Sequence, residues 1–532
     1  MKVAWFSHTQ RQSFAMVSAA SMTAILLVAL VTLLIFIMIR GTAFFWPQEI
    51  ETIHFRGLDG ETRQVFAKKQ QANTTTGHTL QASSSQQVDT EYSLQASFIT
   101  ALGIQSETLI VSEQQLFGSN IDPNVVELHM DNGDHFFFLA QSLETPSQAD
   151  ISLAQLSAVR SQVEALEVQI ERIRDGHLSP IHRQIAQFNR SGVAADAPAR
   201  EKLEHQFFHF QNAINELQKS LYGFALKVAD AEGREATVRL SEVAHVYFPN
   251  RLSTMGKIGL SLSRIAVFLI ESPKQTNTTG GIFPALFGTI LMVLLMTLIV
   301  TPFGVLAAIY LSEYAPANAF TSALRIGVSN MAGVPSIVYG VFGLGFFVYG
   351  IGGSIDSLFF AEHLPSPTFG SPGLFWASLT MALLTLPVVV VATEEGLKRV
   401  PQGIRNSSYA LGATKIETIW YTVLPIASPG IMTGMILAIA RAAGEVAPLM
   451  LVGAVKFAPS LPVDGEFPFL HLERQFMHLG VLIYDGAFHS QTSLQGTSMM
   501  FAACLLLLIC VFGLNLIAIN LRSRLRKRYS QE

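Results

Sequence analysis

The chain has 532 residues, of which 50% are hydrophobic and only 14% are charged. Soluble globular proteins carry about 25% charged residues, so the composition argues against a soluble protein and indicates a membrane protein. The formal net charge of −4 argues against nucleic acid as a partner. Most of the charged residues lie between positions 41 and 280, which predicts one polar region within an otherwise apolar chain.

Six apolar stretches are long enough to cross a bilayer as helices. They are residues 17–39, 282–311, 334–350, 373–393, 424–452 and 497–520. The first stretch exceeds the apolar core of a signal peptide and leads into Phe44, Phe45 and Trp46, which is typical of an uncleaved helix with an interfacial anchor. The pattern predicts an all-α polytopic membrane protein with an insertion after the first span.

Basic residues predict the orientation, because Lys and Arg accumulate in cytoplasmic loops. They lie in the loop after the fourth span and in the last residues, at Lys398, Arg399, Arg405, Lys415, Arg522, Arg524, Arg526, Lys527 and Arg528. We therefore expect both termini in the cytoplasm, and residues 41–280, 351–372 and 454–496 outside. The predicted domains are residues 1–40 (N-terminus and first span), 41–280 (periplasmic insertion), 281–520 (five-span core) and 521–532 (basic tail).

The insertion is predicted to be an α+β region. Residues 49–146 mix short apolar runs with polar stretches such as NTTTGHTLQASSSQQ from Asn73, which favours a β-rich lobe with a loose loop. Within residues 150–230, two apolar seams at helical spacing predict a coiled-coil hairpin, broken near Pro180 and SGVAADAPA. This hairpin is either a rigid spacer or a docking arm for a partner. Residues 254–270 predict an amphipathic helix at the outer membrane interface.

The sequence contains none of the phosphate-binding, hydrolase or paired-cysteine motifs considered below. Gly256-Lys257 is the nearest approach to a phosphate-binding loop, but the hydroxyl residue that must follow the lysine is replaced, and no HExxH, GxSxG or paired CxxC occurs. Glu394 and Glu395 are interpreted as a solvated charge pair. Glu201, His205 and His209 share one helical face but have no further ligands, so we predict no metal. Cys504 and Cys510 lie in an apolar run and are interpreted as inert packing residues.

Two charged residues fall within the fifth predicted span. Arg441 and Glu445 are four positions apart and therefore share a helical face. They either neutralise each other or line a polar path in which the Arg441 guanidinium meets an oxyanion. Charges within spans are costly, which favours the functional interpretation. Pro448, one turn further on, is a candidate for a bend at a gate.

The cytoplasmic loop over residues 394–421 predicts two short amphipathic helices. Pro401 begins the first helix, Gly412 separates the two, and Leu424-Pro425 begins the next span. Such a segment is either an ordinary interfacial loop or a surface that docks into a cleft of a partner.

The loop also resembles a known motif. In SSYALGATKIETIWYTVLP, Gly412 precedes Pro425 by thirteen positions, similar to the EAA loop of ABC importer permeases, although Asn406-Ser407-Ser408 replaces the Glu-Ala-Ala opening. Three further blocks resemble the PstA-type permeases of phosphate importers: GTILMVLLMTLIVTPFGVLAAIYLSEYA from Gly288, AGVPSIVYGVFGLG from Ala332 and ARAAGEVAPLM from Ala440. The resemblance covers the chain from position 280 onward, and the first span more weakly.

The resemblance implies a non-enzymatic, six-span subunit of an inner-membrane phosphate importer that works by alternating access. It implies a second homologous permease, a cytoplasmic ATPase dimer that holds ATP and Mg, and a periplasmic phosphate-binding protein, while this chain binds no cofactor. Site residues implied or suggested are the path residues Arg441 and Glu445, the coupling residues Ser408, Ala410, Gly412, Ala413, Leu424 and Pro425, and the hinge or gate residues Gly333, Pro335 and Pro448. The alternatives are import of molybdate or sulfate, or a membrane sensor with an external coiled coil.

Overall fold

The computed structural model describes residues 8–56, 61–71, 91–100, 103–190, 198–273, 281–361, 365–465, 467–488 and 494–530. The chain forms two compact units. The first comprises Met1–Phe45, Arg264–Pro273 and Gly280–Glu532, and the second comprises Trp46–Ser263 together with a short segment near position 276. The polar NTTTGHTLQASSSQQ stretch and most of SGVAADAPA lie outside the described residues.

The first unit is built almost entirely of helices. Its α-helices are α1 (His8–Ala43), α6 (Phe283–Ile309), α7 (Ala319–Met331), α8 (Ser336–Phe342), α9 (Gly353–Phe359), α10 (Leu374–Lys398), α11 (Gln402–Ala410), α12 (Lys415–Glu417), α13 (Leu424–Gly444), α14 (Ala447–Val452), α15 (Leu479–Phe488) and α16 (Leu494–Ser530). Three π-helical segments, Tyr310–Tyr314, Gly343–Gly352 and Thr418–Val423, continue neighbouring α-helices. Two short strands pair in parallel, β12 (Ala454–Val455) and β13 (Phe476–Met477).

Six helical stretches in the described chain are long and apolar enough to cross a membrane, which confirms the predicted number of spans. They are Gln12–Ala43, Phe283–Tyr314, Ser336–Phe359, Leu374–Lys398, Lys415–Gly444 and Ser498–Arg524. The fifth differs most from its prediction, because it begins at Lys415, inside the loop over residues 394–421, and ends at Gly444 rather than at position 452. Proline explains part of this difference, since Pro448 starts a separate helix, α14.

Helix α10 lies at the centre of the first unit and packs against α6 and α13. Small residues allow the close approach of α10 and α13: a Cβ atom on Gly430 would lie 2.6 Å from the Cα atom of Gly396. Close approach of backbones at small residues is a general way for membrane helices to associate. The core around α10 contains Met292, Met296, Leu374, Met381, Leu384, Val389 and Ala438.

The second unit contains two antiparallel sheets. Its strands are β1 (Glu51–Arg56), β2 (Thr62–Gln71), β3 (Glu91–Thr100), β4 (Gly103–Ser112), β5 (Leu116–Asn120), β6 (Val125–Met130), β7 (His135–Thr145), β8 (Gln148–Ile151), β9 (Ala225–Ala229), β10 (Glu235–Arg239) and β11 (Val243–Tyr247). The first sheet has the order β4-β3-β2-β1-β5, and the second has the order β10-β9-β7-β6-β11 with β8 beside β7. The observed unit is therefore α+β.

The helices of the second unit are α2 (Leu156–Ile173), α3 (Ser179–Arg190) and α4 (Pro198–Tyr222), and α5 (Thr254–Ile270) runs on into the first unit. The apolar seams of α2 and α4 pack on the second sheet as well as on each other: Val163 and Ile214 share one core with Leu128 and Phe138 of the sheet. The expected free-standing hairpin is thus replaced by helices packed against a sheet, since an aromatic-rich sheet face also needs cover.

Pro180 does not break the helical rod as expected. It lies in the first turn of α3, and a π-helical segment, Arg174–Leu178, joins α3 to α2 without a gap. The π segment before it has an i→i+5 hydrogen-bond pattern, so the proline does not meet a regular four-residue α-helical partner. The π segment thus lets the rod pass the proline.

Candidate functional site

Arg441 and Glu445 lie at the end of a helix rather than in its middle. Arg441 is in the last turn of α13, and Glu445 is the C-cap residue with extended backbone angles. Arg441 Nε lies 3.6 Å from Glu445 Oε1, which is within ion-pair range but too long for a hydrogen bond. Both side chains are about one-third exposed, and Arg441 Nε has no hydrogen-bond partner in the described part of the chain. The guanidinium thus keeps donors for another acceptor.

Pro448 is located beyond the helix break. The expectation of a bend within a continuous span is wrong, because α13 ends at Gly444 and Pro448 lies in the first turn of α14. Pro448 packs directly on α8: a Cβ atom on Gly340 would lie 2.7 Å from the Pro448 Cα atom. The sequence analysis did not single out Gly340, although it belongs to the AGVPSIVYG block.

Gly333 and Pro335 form the turn between α7 and α8. The Gly333 amide donates to the Asn330 carbonyl, and Pro335 is the N-cap residue of α8. Tyr339 bridges the same turn, because its hydroxyl donates to the Met331 carbonyl over 2.7 Å. A glycine and a proline at a helix junction fit a hinge, which stays a prediction.

The loop over residues 394–421 begins as expected. Pro401 is the N-cap residue of α11, and Gly412 follows the helix with a φ of +87°. Two amide donors close this turn: Gly412 N–H donates to the Tyr409 carbonyl, and Ala413 N–H donates to the Ser408 carbonyl. Ala410 is the last residue of α11. Only glycine adopts this left-handed conformation without strain, so the turn explains why this position is glycine.

The second half of the loop is not a separate short helix. Thr414 caps α12 by a capping box with Glu417, and the helix then continues through Thr418–Val423 into α13, so that Leu424 and Pro425 lie inside one rod. Pro425 is tolerated because the preceding turn is π-helical and supplies no strict four-residue hydrogen-bond partner. The Ser408 and Thr418 hydroxyls, 2.9 Å apart, join α11 to this rod.

Large apolar side chains are exposed on this loop. Leu411 is 89% exposed, and the others, between 39% and 76% exposed, are Ile404, Tyr409, Ile416, Trp420 and Tyr421. A cluster of exposed aliphatic and aromatic side chains typically marks a protein interface. The loop therefore has the surface expected of a docking segment.

The second half of the chain is similar to known transport permeases. Residues 300–528 match the family described as the inner membrane component of binding-protein-dependent transport systems. The phosphate transport system permease protein PstA of Yersinia pestis is 34% identical over 266 residues, which are 50% of this chain and 79% of that protein. PstA of Mycobacterium leprae is 36% identical over 253 residues, 47% of this chain and 73% of that protein. The chain belongs to the PstA-type permease family.

A solved structure is also similar to this permease. The inward-facing MetNI methionine ABC transporter is 17% identical, with a TM-score of 0.34, over 45% of this chain and 94% of that one. Permeases of this family are not enzymes themselves, and their ATPase is a separate subunit. The prediction that the chain is a permease subunit rather than an enzyme is confirmed.

Arg405 makes a buried contact that its sequence position, within a run of basic residues, does not predict. It lies on α11 and forms a buried ion pair with Glu313, the fourth residue of the π segment that ends the second span. Its Nη2 also donates to the Leu397 carbonyl near the end of α10 over 2.8 Å. Lys415 donates to the Glu313 carbonyl from the far side of the loop. Arg405 thus ties the loop over residues 394–421 to two spans.

Glu394 is not solvated, contrary to the expectation for the Glu394-Glu395 pair. It is 9% exposed and pairs with Arg325 Nε of α7 over 3.1 Å and with Lys398 Nζ over 3.7 Å. Nothing in its sequence neighbourhood signals Arg325, which lies 69 positions earlier. Tertiary packing places Arg325 beside Glu394.

The two histidines that share a helical face with Glu201, for which no metal is predicted, lie on α4. Glu201, His205 and His209 are exposed on this helix. Within the described residues, only one group of three donor side chains is close enough to hold a metal, and it consists of Glu127, His129 and His135 in the second sheet.

Proposed function

We propose that the chain is the transmembrane permease subunit of an ATP-driven importer that moves inorganic phosphate across the cytoplasmic membrane by alternating access. The observation that carries this proposal is similarity over more than two thirds of the length of several phosphate transport permeases. The six spans provide a membrane-embedded body for such a path. Hydrolysis of ATP belongs to a partner subunit, which this chain engages through its cytoplasmic loop.

Arg441 is proposed to contact the anion. Its ion pair with Glu445 is loose, and its Nε lacks a hydrogen-bond partner within the described structure. Phosphate oxygens accept from a guanidinium fork in two parallel hydrogen bonds, which a 3.6 Å contact with Glu445 does not replace. Glu445 then limits how tightly the anion is held, because its negative charge competes for the same guanidinium. A transport site must release its substrate, so this competition is useful.

The loop from Glu394 to Tyr421 is proposed to dock into the ATPase. Ser408, Ala410, Gly412 and Ala413 form the turn, and Leu424 and Pro425 continue its second arm into the span. Because Asn406-Ser407-Ser408 replaces Glu-Ala-Ala, we propose that apolar contacts of Leu411 and Ile416 carry more of this interface than a charged contact does. Movement of the loop is then transmitted to the spans through the Arg405–Glu313 pair.

Partners and topology follow from the family. Binding-protein-dependent permeases work with an ATPase and a substrate-binding protein. For this chain we propose a second homologous permease subunit, a cytoplasmic ATPase dimer and a periplasmic phosphate-binding protein. We further propose that both termini face the cytoplasm and that residues 41–280 form a periplasmic domain, because basic residues cluster in the loop after the fourth span and after position 521.

The test is ATP-dependent uptake of radiolabelled phosphate into proteoliposomes that contain the chain with its co-purified partners. Uptake that requires the ATPase and resists excess molybdate and sulfate supports the proposal, whereas inhibition by either oxyanion reassigns the substrate. Arg441→Ala is expected to reduce uptake about 10- to 100-fold, the value of hydrogen bonds to a charged group. Arg441→Lys keeps the charge but loses the guanidinium fork, so its uptake should lie between that of the wild type and that of Arg441→Ala.

Measuring assembly of the complex distinguishes a transport role of Arg441 from a structural role. The Arg441→Ala complex should still co-purify with its partners and hydrolyse ATP. Loss of assembly in this variant would instead assign Arg441 and Glu445 a structural pairing role.

A further inference from the structure

Three histidines lie side by side on neighbouring strands of the second sheet. His135 of β7 is opposite His129 of β6, and His129 is opposite His245 of β11. Opposed residues of antiparallel strands project from the same face of a sheet, with Cβ atoms about 5 Å apart. The His129 and His135 rings are in contact, with centroids 3.8 Å apart. The fold thus concentrates imidazole groups that are dispersed in the sequence.

A buried carboxylate lies on the same face of the sheet. Glu127 precedes His129 by two positions, so the period of a strand places both side chains together. Glu127 Oε1 lies 3.0 Å from His129 Nε2 and 3.7 Å from His135 Nδ1. Donor atoms of all three residues lie within 4.8 Å of one another. This compact donor set does not involve the spans or the coupling loop.

The Lys68 ammonium and the imidazole groups of His129 and His135 surround the Glu127 carboxylate. Burial alone would raise the pKa of its carboxyl group, but the Lys68 ammonium and hydrogen bonds from His129 and His135 outweigh burial and hold the pKa well below its usual range. Lys68 Nζ donates to Glu127 Oε1 over 2.6 Å. The Glu127 oxygen thus lies within 4 Å of two imidazole nitrogens, and Lys68 is its neighbouring cation.

We propose that Glu127, His129 and His135 bind a zinc ion or a similar borderline transition-metal dication. Two imidazole nitrogens and one carboxylate oxygen are a common zinc ligand set, with a water molecule in the fourth position. Metal–ligand bonds of about 2.0–2.2 Å set neighbouring donors about 3.3–3.5 Å apart in a tetrahedron, close to the two distances measured from Glu127 Oε1. Small rotations of the side chains complete the geometry. Mg²⁺ and Ca²⁺ are disfavoured, because they prefer sites made of oxygen ligands.

Zinc would join β6 to β7 and add to the stability of the second unit, because an ion that binds the folded state alone shifts unfolding by mass action. Lys68 opposes the ion: it is a cation beside the same carboxylate oxygen. This opposition gives the proposal a distinctive signature, since removal of the Lys68 charge should tighten metal binding, whereas loss of a ligand should weaken it.

The experiment uses the purified full-length chain, stripped with a chelator and titrated with Zn²⁺ alone by calorimetry and by equilibrium dialysis with metal analysis. About one Zn²⁺ per chain is expected, and Co²⁺ substitution should give the intense visible absorption of a tetrahedral site. The double variant His129→Ala/His135→Ala should lose this ion and this absorption. The matched control His205→Ala/His209→Ala removes two exposed histidines from α4 and should retain both.

Two further variants decide the outcome if the double variant fails to fold. Glu127→Gln should weaken Zn²⁺ binding at least about 10-fold, and Lys68→Met should strengthen it by about the same factor. Four results would each overturn the proposal. The first two are absence of stoichiometric Zn²⁺ binding by the wild-type chain and retention of the ion by His129→Ala/His135→Ala. The other two are loss of the ion in the α4 control and weaker binding by Lys68→Met.

Discussion

Two arginines of the permease meet carboxylates in contrasting surroundings. The Arg405–Glu313 pair is about nine-tenths buried, and Arg405 also donates to a main-chain carbonyl. The Arg441–Glu445 pair is partly exposed and too long for a hydrogen bond. A buried ion pair fixes geometry, because removing one partner leaves an uncompensated charge. A loose, accessible pair can exchange its partner for a substrate, which suits the proposed roles of the two arginines.

Arg405→Met is expected to destabilise the permease by about 3–5 kcal/mol, because Glu313 would remain charged and buried. Thermal unfolding of the detergent-solubilised chain measures this loss. The double variant Arg405→Met/Glu313→Met should recover most of the stability, since two packed apolar side chains need no charge compensation. A single variant as stable as the wild type would show that the pair does not hold the loop.

His478 provides a prediction on pH. It is 1% exposed, between β13 and α15, and burial lowers its pKa from 6.5 to about 4. Its Nδ1 accepts from the Gly480 amide over 3.0 Å. Because the folded state disfavours protonation, the stabilising contribution is complete above pH 6.5 and is lost as the pH falls towards 4. At pH 5 the loss amounts to about 2 kcal/mol.

His478→Asn supplies the comparison for this pH profile, because its amide oxygen can still accept from Gly480 but does not titrate. Between pH 7 and pH 5, the free energy of unfolding of the wild-type chain should fall by about 2 kcal/mol more than that of His478→Asn. Parallel profiles for the two proteins would contradict the assignment.

At the scale of elements, helix ends and turns decide where function is located. The fifth span stops at Gly444, so Arg441 and Glu445 lie beside a break instead of within a regular helix. Pro448 begins a new helix that packs on Gly340 of α8. The loop over residues 394–421 has two arms joined at Gly412, and its second arm is continuous with the fifth span. The second arm and Arg441 therefore lie on one continuous helical rod.

Gly412→Ala is expected to strain this turn by about 1–2 kcal/mol, because a side chain is disfavoured at a φ of +87°. Phosphate uptake and co-purification of the ATPase should both decline. Gly403→Ala is the matched control within α11: neither glycine has atoms within 4 Å of an added Cβ, so the two changes differ in backbone conformation and not in crowding. Equal effects of both substitutions would refute a special role for the turn.

At the scale of the molecule, the six spans and the α+β unit are distinct compact units of one chain. In the second unit, α2 and α4 share a core with β6, β7 and β9. Excision of the helices would expose Leu128, Phe138 and Leu226, so the helices are part of the domain and not a detachable arm. Point substitutions are thus better probes of this unit than deletions.

Labelling of cysteines tests the proposed topology of the whole permease. In a background with Cys504→Ala and Cys510→Ala, Ser119→Cys lies at an exposed position of β5, and Ser523→Cys lies at an exposed position near the end of α16. A membrane-impermeant maleimide added to spheroplasts should label Ser119→Cys at once and Ser523→Cys only after permeabilisation. The reverse pattern would invert the orientation deduced from the basic residues.

The sequence by itself determined the number of spans, the permease family and the positions of Pro401 and Gly412, because hydrophobic length and backbone preference are local properties. It also indicated the two seams that became α2 and α4. Only the tertiary structure decided the partners: Glu313 for Arg405, Arg325 for Glu394, Gly340 for Pro448, and the Glu127–His129–His135 cluster. Most of these contacts join residues that are far apart in the sequence or on separate strands, and packing energies that a local pattern does not contain select them.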